Sequence, residues 1–426
     1  MIGPDTLGRL LAASPYNIVR LILPGLDPAT PGAGPGGPAD ARAAGEIAAA
    51  RLGDWRAEGV LAADDEPALY VYEQSGPEFV QRGLIGLVGV ATSAIHPHED
   101  VMPGPVAGRR ELMSLTRSNL EPILLVYNGG AGASGHGGSA GTRAAGPASV
   151  PGTADGATTV STATRLVNLT ADEREPLACA VTDDGISHRL WALTDPAEHA
   201  AIAADLAARS ALIADGHHRY AAYGELREQM RARGLGDGPW DFGLAFLVDA
   251  DAYPLRLGPI HRVLPRLDPA TAARLAAGAF TVTSLPPTDL DGALRRLAAA
   301  GQDGTAFLLA GGDGFRLLSQ PDAGELAAAM PAQASARWRA LDSSVMQELL
   351  LARLWSIRDN ERDVLISHDT GEAVRLAEAT GGTAVLLNPM SLAAVTDLAA
   401  HGERVPRKST SFGPKPRTGF VLRTFE

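Results

Sequence analysis

A mixed α/β (α+β) architecture is predicted by three observations. Short apolar runs of strand length alternate with segments of helical period, the alternation starts again after about residue 240, and 426 residues are enough for more than one hydrophobic core. The polar, glycine-rich stretch Gly234–Trp240 is the natural divide, giving a first domain over 1–235 and a C-terminal α/β domain over 240–426.

Element by element, the first half reads as strands at Ile18–Leu23, Ala68–Tyr72, Leu84–Thr92 and Ile123–Tyr127, with a helix near Glu111–Asn119. Strands at Leu177–Thr182 and Arg189–Leu193 follow, then a helix over Ala197–Arg209. Ala211-Leu212-Ile213 reads as a buried strand, and Tyr223, Leu226 and Met230 recur at helical spacing through Arg231. In the second half, strands fall at Leu244–Val248, Leu255–Val263 and Phe280–Thr283, and helices at Ala270–Ala277 and Thr288–Ala300. Thr305–Ala310 and Phe315–Ser319 form a hairpin across Gly311 to Gly314. A helix at Ser344–Leu354, a strand at Asp363–Ser367, a helix at Gly371–Ala379 and a strand at Ala384–Leu387 complete the pattern. Residues 28–45 and 129–163 are so rich in Gly, Ala, Pro, Ser and Thr that they read as flexible insertions, because too few large apolar side chains are present to offset the entropy of ordering.

Composition bounds the function. A formal charge of −12 and a pI near 5.3 argue against a broad nucleic-acid or anionic-membrane surface and for a small-molecule partner. The single cysteine, Cys179, excludes an internal disulfide, and its apolar neighbours place it on a strand. No basic-then-apolar leader and no long apolar run is visible, so a cytoplasmic location is expected.

The densest chemistry lies at 213–220, between the strand and the helix. His217, His218 and Arg219 fall in the first helical turn, where free backbone N–H groups and the positive dipole end favour an anion. Gly216 would admit close approach of a ligand, and Asp215 would cap the helix or accept a proton. His96-Pro-His98-Glu99-Asp100 is a second centre, since in extended chain His96 and His98 share one side beside two carboxylates; acid/base work and a metal site are both open there. His261-Arg262 repeats the His-Arg pairing on a strand. Gly402 to Ser409 approaches a phosphate loop, but Arg407 replaces its second glycine and Pro406 removes an N–H; Lys408, Ser409, Thr410, Lys415 and Arg417 remain as phosphate contacts or as a solvated tail. Two further look-alikes, the dinucleotide pattern Gly130 to Gly135 and the nucleophile-elbow pattern Gly137 to Gly141, sit in low-complexity sequence with no helix to follow.

Ser14-Pro-Tyr16, Leu69-Tyr-Val-Tyr-Glu73-Gln, Arg82-Gly-Leu-Ile-Gly86, His98-Glu99, Ala214 to Tyr220, Pro259 to Val263 and Pro406 to Thr410 with Pro414-Lys415 and Thr418-Gly419 stand in an order that resembles the bacterial family called domain of unknown function 1015. The chain departs from that pattern in the Gly/Ala tract after Tyr127 and at Arg407 and Gly413. More distantly, Asp215, Gly216, His217 and Arg219 are similar to the nucleotide-binding turn of the ParB/sulfiredoxin-like superfamily, which includes free-serine kinases. That resemblance implies a ParB/sulfiredoxin-like nucleotide-binding core in the first half, ATP or another nucleoside triphosphate (or ADP) with Mg2+, and phosphoryl transfer to a small hydroxylated metabolite such as serine. Gly216, His217, His218, Arg219, Lys408, Ser409, Thr410 and Lys415 would hold the nucleotide, and Asp215, Glu99, His98 and His217 would act on the acceptor. A nucleotide-gated binding or regulatory protein would use the same turn, and a metal-dependent hydrolase would use His98, Glu99 and His217.

Overall fold

A computed structural model describes residues 4–26, 41–130, 160–286, 289–312, 314–360 and 362–425. The two glycine-rich look-alikes and most of both expected insertions lie outside these residues. Of the expected 28–45 insertion, residues 41–45 instead open the helix Ala41–Ala57, which buries Ala48, Leu52 and Trp55.

The chain divides into two compact units, and neither is a continuous segment. The first comprises residues 1–95, 101–254 and 415–426; the second comprises 96–100 and 255–414. The divide expected near Gly234–Trp240 falls inside the first unit.

The strands, in chain order, are β1 Leu69–Gly76, β2 Phe79–Gly89, β3 Ile95–His96, β4 Ser118–Asn119, β5 Ile123–Tyr127, β6 Ala178–Val181, β7 Ser187–Leu193, β8 Ala211–Asp215, β9 Phe242–Asp249, β10 Arg256–Gly258, β11 His261–Leu264, β12 Thr281–Ser284, β13 Ala306–Gly311, β14 Gly314–Ser319, β15 Leu365–Ser367, β16 Thr383–Leu387, β17 Ser411–Gly413 and β18 Arg423–Thr424. An eight-stranded sheet runs β3-β8-β5-β9-β2-β1-β7-β6, and β5 pairs with β9 in parallel. β5 is wholly buried, as its unbroken Ile-Leu-Leu-Val-Tyr run requires. On one side the helix His217–Ala232 lays Ala222, Tyr223 and Leu226 against Ile123, Leu125, Ile213 and Ala245.

The second unit holds a six-stranded sheet, β12-β14-β13-β16-β11-β15, and the pair β10-β17. β13 and β14 form the expected hairpin. One core cluster contains Phe280, Phe307, Leu349 and Leu350, and a second contains Leu297, Leu308, Ala373 and Leu386. The segment expected as one helix over Ser344–Leu354 begins as an α-helix at Asp342 and widens into a π-helix over Met346–Leu354.

One expected strand is a helix. Ile18–Leu23 contains the short helix Val19–Ile22, because Asn17 Oδ1 accepts the Val19 N–H at 3.1 Å and turns the chain, while Leu21 packs on Leu52 and Trp55. The helix expected at Glu111–Asn119 runs from Pro103 to Thr116 and leaves Asn119 to β4. Among the described residues no helix is long and apolar enough to cross a membrane.

Candidate functional site

β8 ends in a bulge. Leu125 pairs with Ile213 but Leu124 pairs with Asp215, so Ala214 is an extra residue that re-aims the strand's last side chain. Gly216 follows with φ of 99°, a left-handed conformation, and a Cβ there would stand 2.9 Å from Ile123 Cγ2 and 3.1 Å from Arg219 Nε. Glycine is required on both counts. His217–Ala232 then runs as a helix, with His217 to Arg219 in its first turn as the sequence predicts.

Gly216 is the N-cap residue of this helix and supplies no side-chain cap. The expected capping role of Asp215 is therefore corrected: its Oδ2 accepts from an Arg219 terminal nitrogen at 2.7 Å, and its Oδ1 lies 2.6 Å from Lys415 Nζ. The i,i+4 spacing brings Arg219 back over the turn, and its other terminal nitrogen donates to the Pro122 carbonyl at 2.6 Å, with Glu121 Oε1 at 3.8 Å. Burial would raise the Asp215 carboxyl, but Arg219, Lys415 and His217 outweigh it and hold the group below its ordinary range. His217 is buried; His218 Nε2 accepts the Met102 N–H at 3.1 Å, at the start of the helix Pro103–Thr116. Arg219 thus faces protein partners, and Lys415, more than half exposed, is the more accessible cation at the carboxylate.

His98 and Glu99 belong to the second unit, with Lys408, Ser409 and Thr410. The Thr410 hydroxyl donates to Glu99 Oε1 at 2.9 Å and lies 2.8 Å from His98 Nε2. His98 is fully buried, its ring edge-on to Phe412, and its carbonyl accepts the Val405 N–H. Of the two histidines expected side by side, only His96 lies on a strand, since β3 ends there. Ser409 is buried and donates its hydroxyl to the Pro406 carbonyl at 2.6 Å, so it closes its own turn rather than presenting a phosphate contact; Lys408 is exposed. His261 and Arg262 are buried on β11. Among the described residues no group of three or more His, Cys, Asp or Glu side chains is placed to hold a metal.

Glu121 and Pro122, which fix Arg219, carry no sequence signal beyond standing directly before the apolar β5 run. The family motifs around Glu73 and Arg82 are cross-strand partners: Glu73, buried on β1, is opposite Arg82 on β2 and Arg189 on β7, and it pairs with both. Their geometry is that of a buried ionic clasp across three strands.

The family model described as Protein of unknown function (DUF1015) matches residues 1–135 and 149–344. No curated protein matches the chain. Among solved structures, a mutant free serine kinase in complex with ADP is similar at 12% identity and a TM-score of 0.37, covering 77% of this chain and 87% of its own. A conserved hypothetical protein from Pyrococcus furiosus is similar at 12% identity and 0.34, covering 77% and 90%. SbnI from Staphylococcus aureus, truncated at its C-terminus, is similar at 12% and 0.35, covering 78% and 84%.

Proposed function

This chain belongs to the family described as Protein of unknown function (DUF1015), and on that premise we propose that it is a nucleotide-dependent phosphotransferase acting on a small hydroxylated metabolite, with free serine among its acceptors. The observation that carries the reading is a carboxylate held ionised by two cations beside a helix N-terminus whose N-cap residue is a glycine. The N–H groups of the first turn and the helix dipole favour a phosphate there, and His217 adds a polar group at the same turn. Lys415 can exchange Asp215 for a phosphate oxygen without leaving the turn.

Asp215 then serves to orient the acceptor hydroxyl. A carboxylate held below its ordinary pKa is a weak base, which suits phosphoryl transfer, where little proton removal is needed before the transition state and positioning supplies most of the rate. Asp215 does not fit as a Mg2+ ligand while Arg219 and Lys415 each hold one of its oxygens. Positive charge opposite a phosphate is supplied here by the helix N-terminus and Lys415.

Incubating the protein with each nucleoside triphosphate and a panel of hydroxy metabolites, followed by phosphorus NMR, tests the reading. Asp215→Asn should lower turnover by about 10²–10⁴-fold with nucleotide affinity retained. Transfer at the parent rate in that variant would refute the assigned role. Nucleotide binding without transfer to any acceptor would favour the nucleotide-gated binding protein instead.

A further inference from the structure

The second unit contains a surface pocket of about 660 Å³, open to solvent on one side and in the range of small-molecule sites, lined by Gln347, Glu348, Ser356, Arg358, Asp359 and Arg407. No residue of it belongs to the 215–219 turn. Its construction departs from ordinary packing in two ways. The wall bearing Gln347 and Glu348 is π-helical over nine residues, a conformation rare in proteins and concentrated at functional sites. That helix closes through Trp355 N–H to the Leu350 carbonyl and Ile357 N–H to the Leu351 carbonyl, with Ser356 between them at φ of 53°. Glycine is the usual residue at such a left-handed closure, so the exposed serine keeps a hydroxyl on the cavity wall at the expense of backbone ease.

The charges sort into a neutral pair and two open groups. Arg407 and Asp359 face each other at 3.4 Å, and the Arg407 carbonyl is anchored by the fully buried Arg262 at 3.0 Å, so this part of the wall is fixed. Glu348 accepts a hydrogen bond from Gln347 at 2.8 Å, and among the described residues it has no cationic partner; Arg358 has no acidic one. We propose that this cavity binds a small zwitterion, a free amino acid or a dipeptide, whose carboxylate is taken by Arg358 and whose ammonium is taken by Glu348. Ala352 and Ile357 supply the apolar surface for the side chain between the two charged ends.

Calorimetric titration of the full chain with the twenty L-amino acids and a set of dipeptides tests this, the two panels separating the two sources of the same chemistry. Saturable binding is expected for at least one probe, and N-acetylation or C-amidation of that probe should each weaken it tenfold or more. Arg358→Gln should weaken the free acid at least tenfold but leave its amide unchanged, and Glu348→Gln should weaken the free amine but leave its N-acetyl form unchanged. No saturation by any probe up to about 10 mM, a range covering even weak millimolar sites, overturns the proposal. So does a best binder that tolerates both blocking groups, a result read on the parent protein alone and independent of how either variant folds.

Discussion

Arg219 is the residue whose environment most changes what its type suggests. An arginine in the first turn of a helix, beside two histidines, reads as a phosphate contact, yet its guanidinium lies within reach of Asp215, the Pro122 carbonyl and Glu121. It is a positioning residue that ties β8 to the chain entering β5 and keeps Asp215 ionised. Arg219→Ala should therefore destabilise the protein by about 1.5–3 kcal/mol, the range for a charge-assisted hydrogen bond, here within a partly buried ion pair whose carboxylate Lys415 still partners. The Asp215 pKa should rise in that variant. Because the native carboxyl is held below its unfolded value, its stabilisation is complete above the ordinary carboxyl pKa of 3.8 and is lost as pH falls through the native one. The stability gap between parent and Arg219→Ala, measured by urea denaturation, should thus be flat from pH 5 to 8 and shrink under stronger acid. A gap that is absent at pH 7 would mean that Arg219 does not hold this turn.

At the scale of single elements, the reading of the sequence succeeded where pattern and packing agree. β5, the 217–232 helix and the β13-β14 hairpin have unbroken apolar runs or clear turn chemistry, and each forms as expected. It failed at Ile18–Leu23, where a short run, apolar except for Arg20, fits a buried strand or a buried helix equally, and only the Asn17 turn and the Leu52-Trp55 surface decide between them. The pairing of Thr410 with Glu99 and His98 was also illegible, because more than three hundred residues of sequence separate the partners. β11 carries a further consequence. Burial, reinforced by Arg262, pushes His261 down from 6.5 to about 4, and its Nδ1 accepts the Leu387 N–H, a bond that a protonated ring cannot accept. Between those two values the unfolded chain binds a proton that the folded chain refuses, so this residue should remove about 1.4 kcal/mol of stability per pH unit on acidification, beginning below pH 6.5 and levelling near 4. His261→Leu should show a shallower acid slope over that window in denaturant titrations; an unchanged slope would assign the acid sensitivity elsewhere.

Over the whole molecule, domain order was the least legible property, because a composition shift marks a loop and not the end of a sheet. The polar stretch at 234–240 is a connection that ends in the short 3-10 helix Pro239–Asp241, but the strand after it, β9, is the parallel partner of β5 and the antiparallel partner of β2, so a cut there would split the eight-stranded sheet in two. The last twelve residues likewise return to the first unit. The Lys415 carbonyl accepts from buried Gln74, the Arg417 N–H donates to the Tyr72 hydroxyl, and Phe420 packs on Tyr72 and His188. Arg423 donates to the carbonyls of Phe242 and Pro239, β18 pairs with β4, and Phe425 is buried beside Met113 and Ile123. Ending the chain after Pro414 would leave Gln74 and Tyr72 without these partners, uncover at least one aromatic worth about 1.5–3 kcal/mol, and remove the Lys415 cation from Asp215. The truncated protein should lose about 4 kcal/mol or more in denaturant titrations, a large share of the stability of an ordinary domain, with amide exchange accelerated first in β1, β2 and β7. Nucleotide affinity should fall with it, since Lys415 goes too. A separate Lys415→Ala variant should lower nucleotide affinity while leaving β1, β2 and β7 protected, which distinguishes loss of the cation from loss of the strap. Normal stability and normal exchange in the truncated chain would show that the sheet does not depend on residues 415–426.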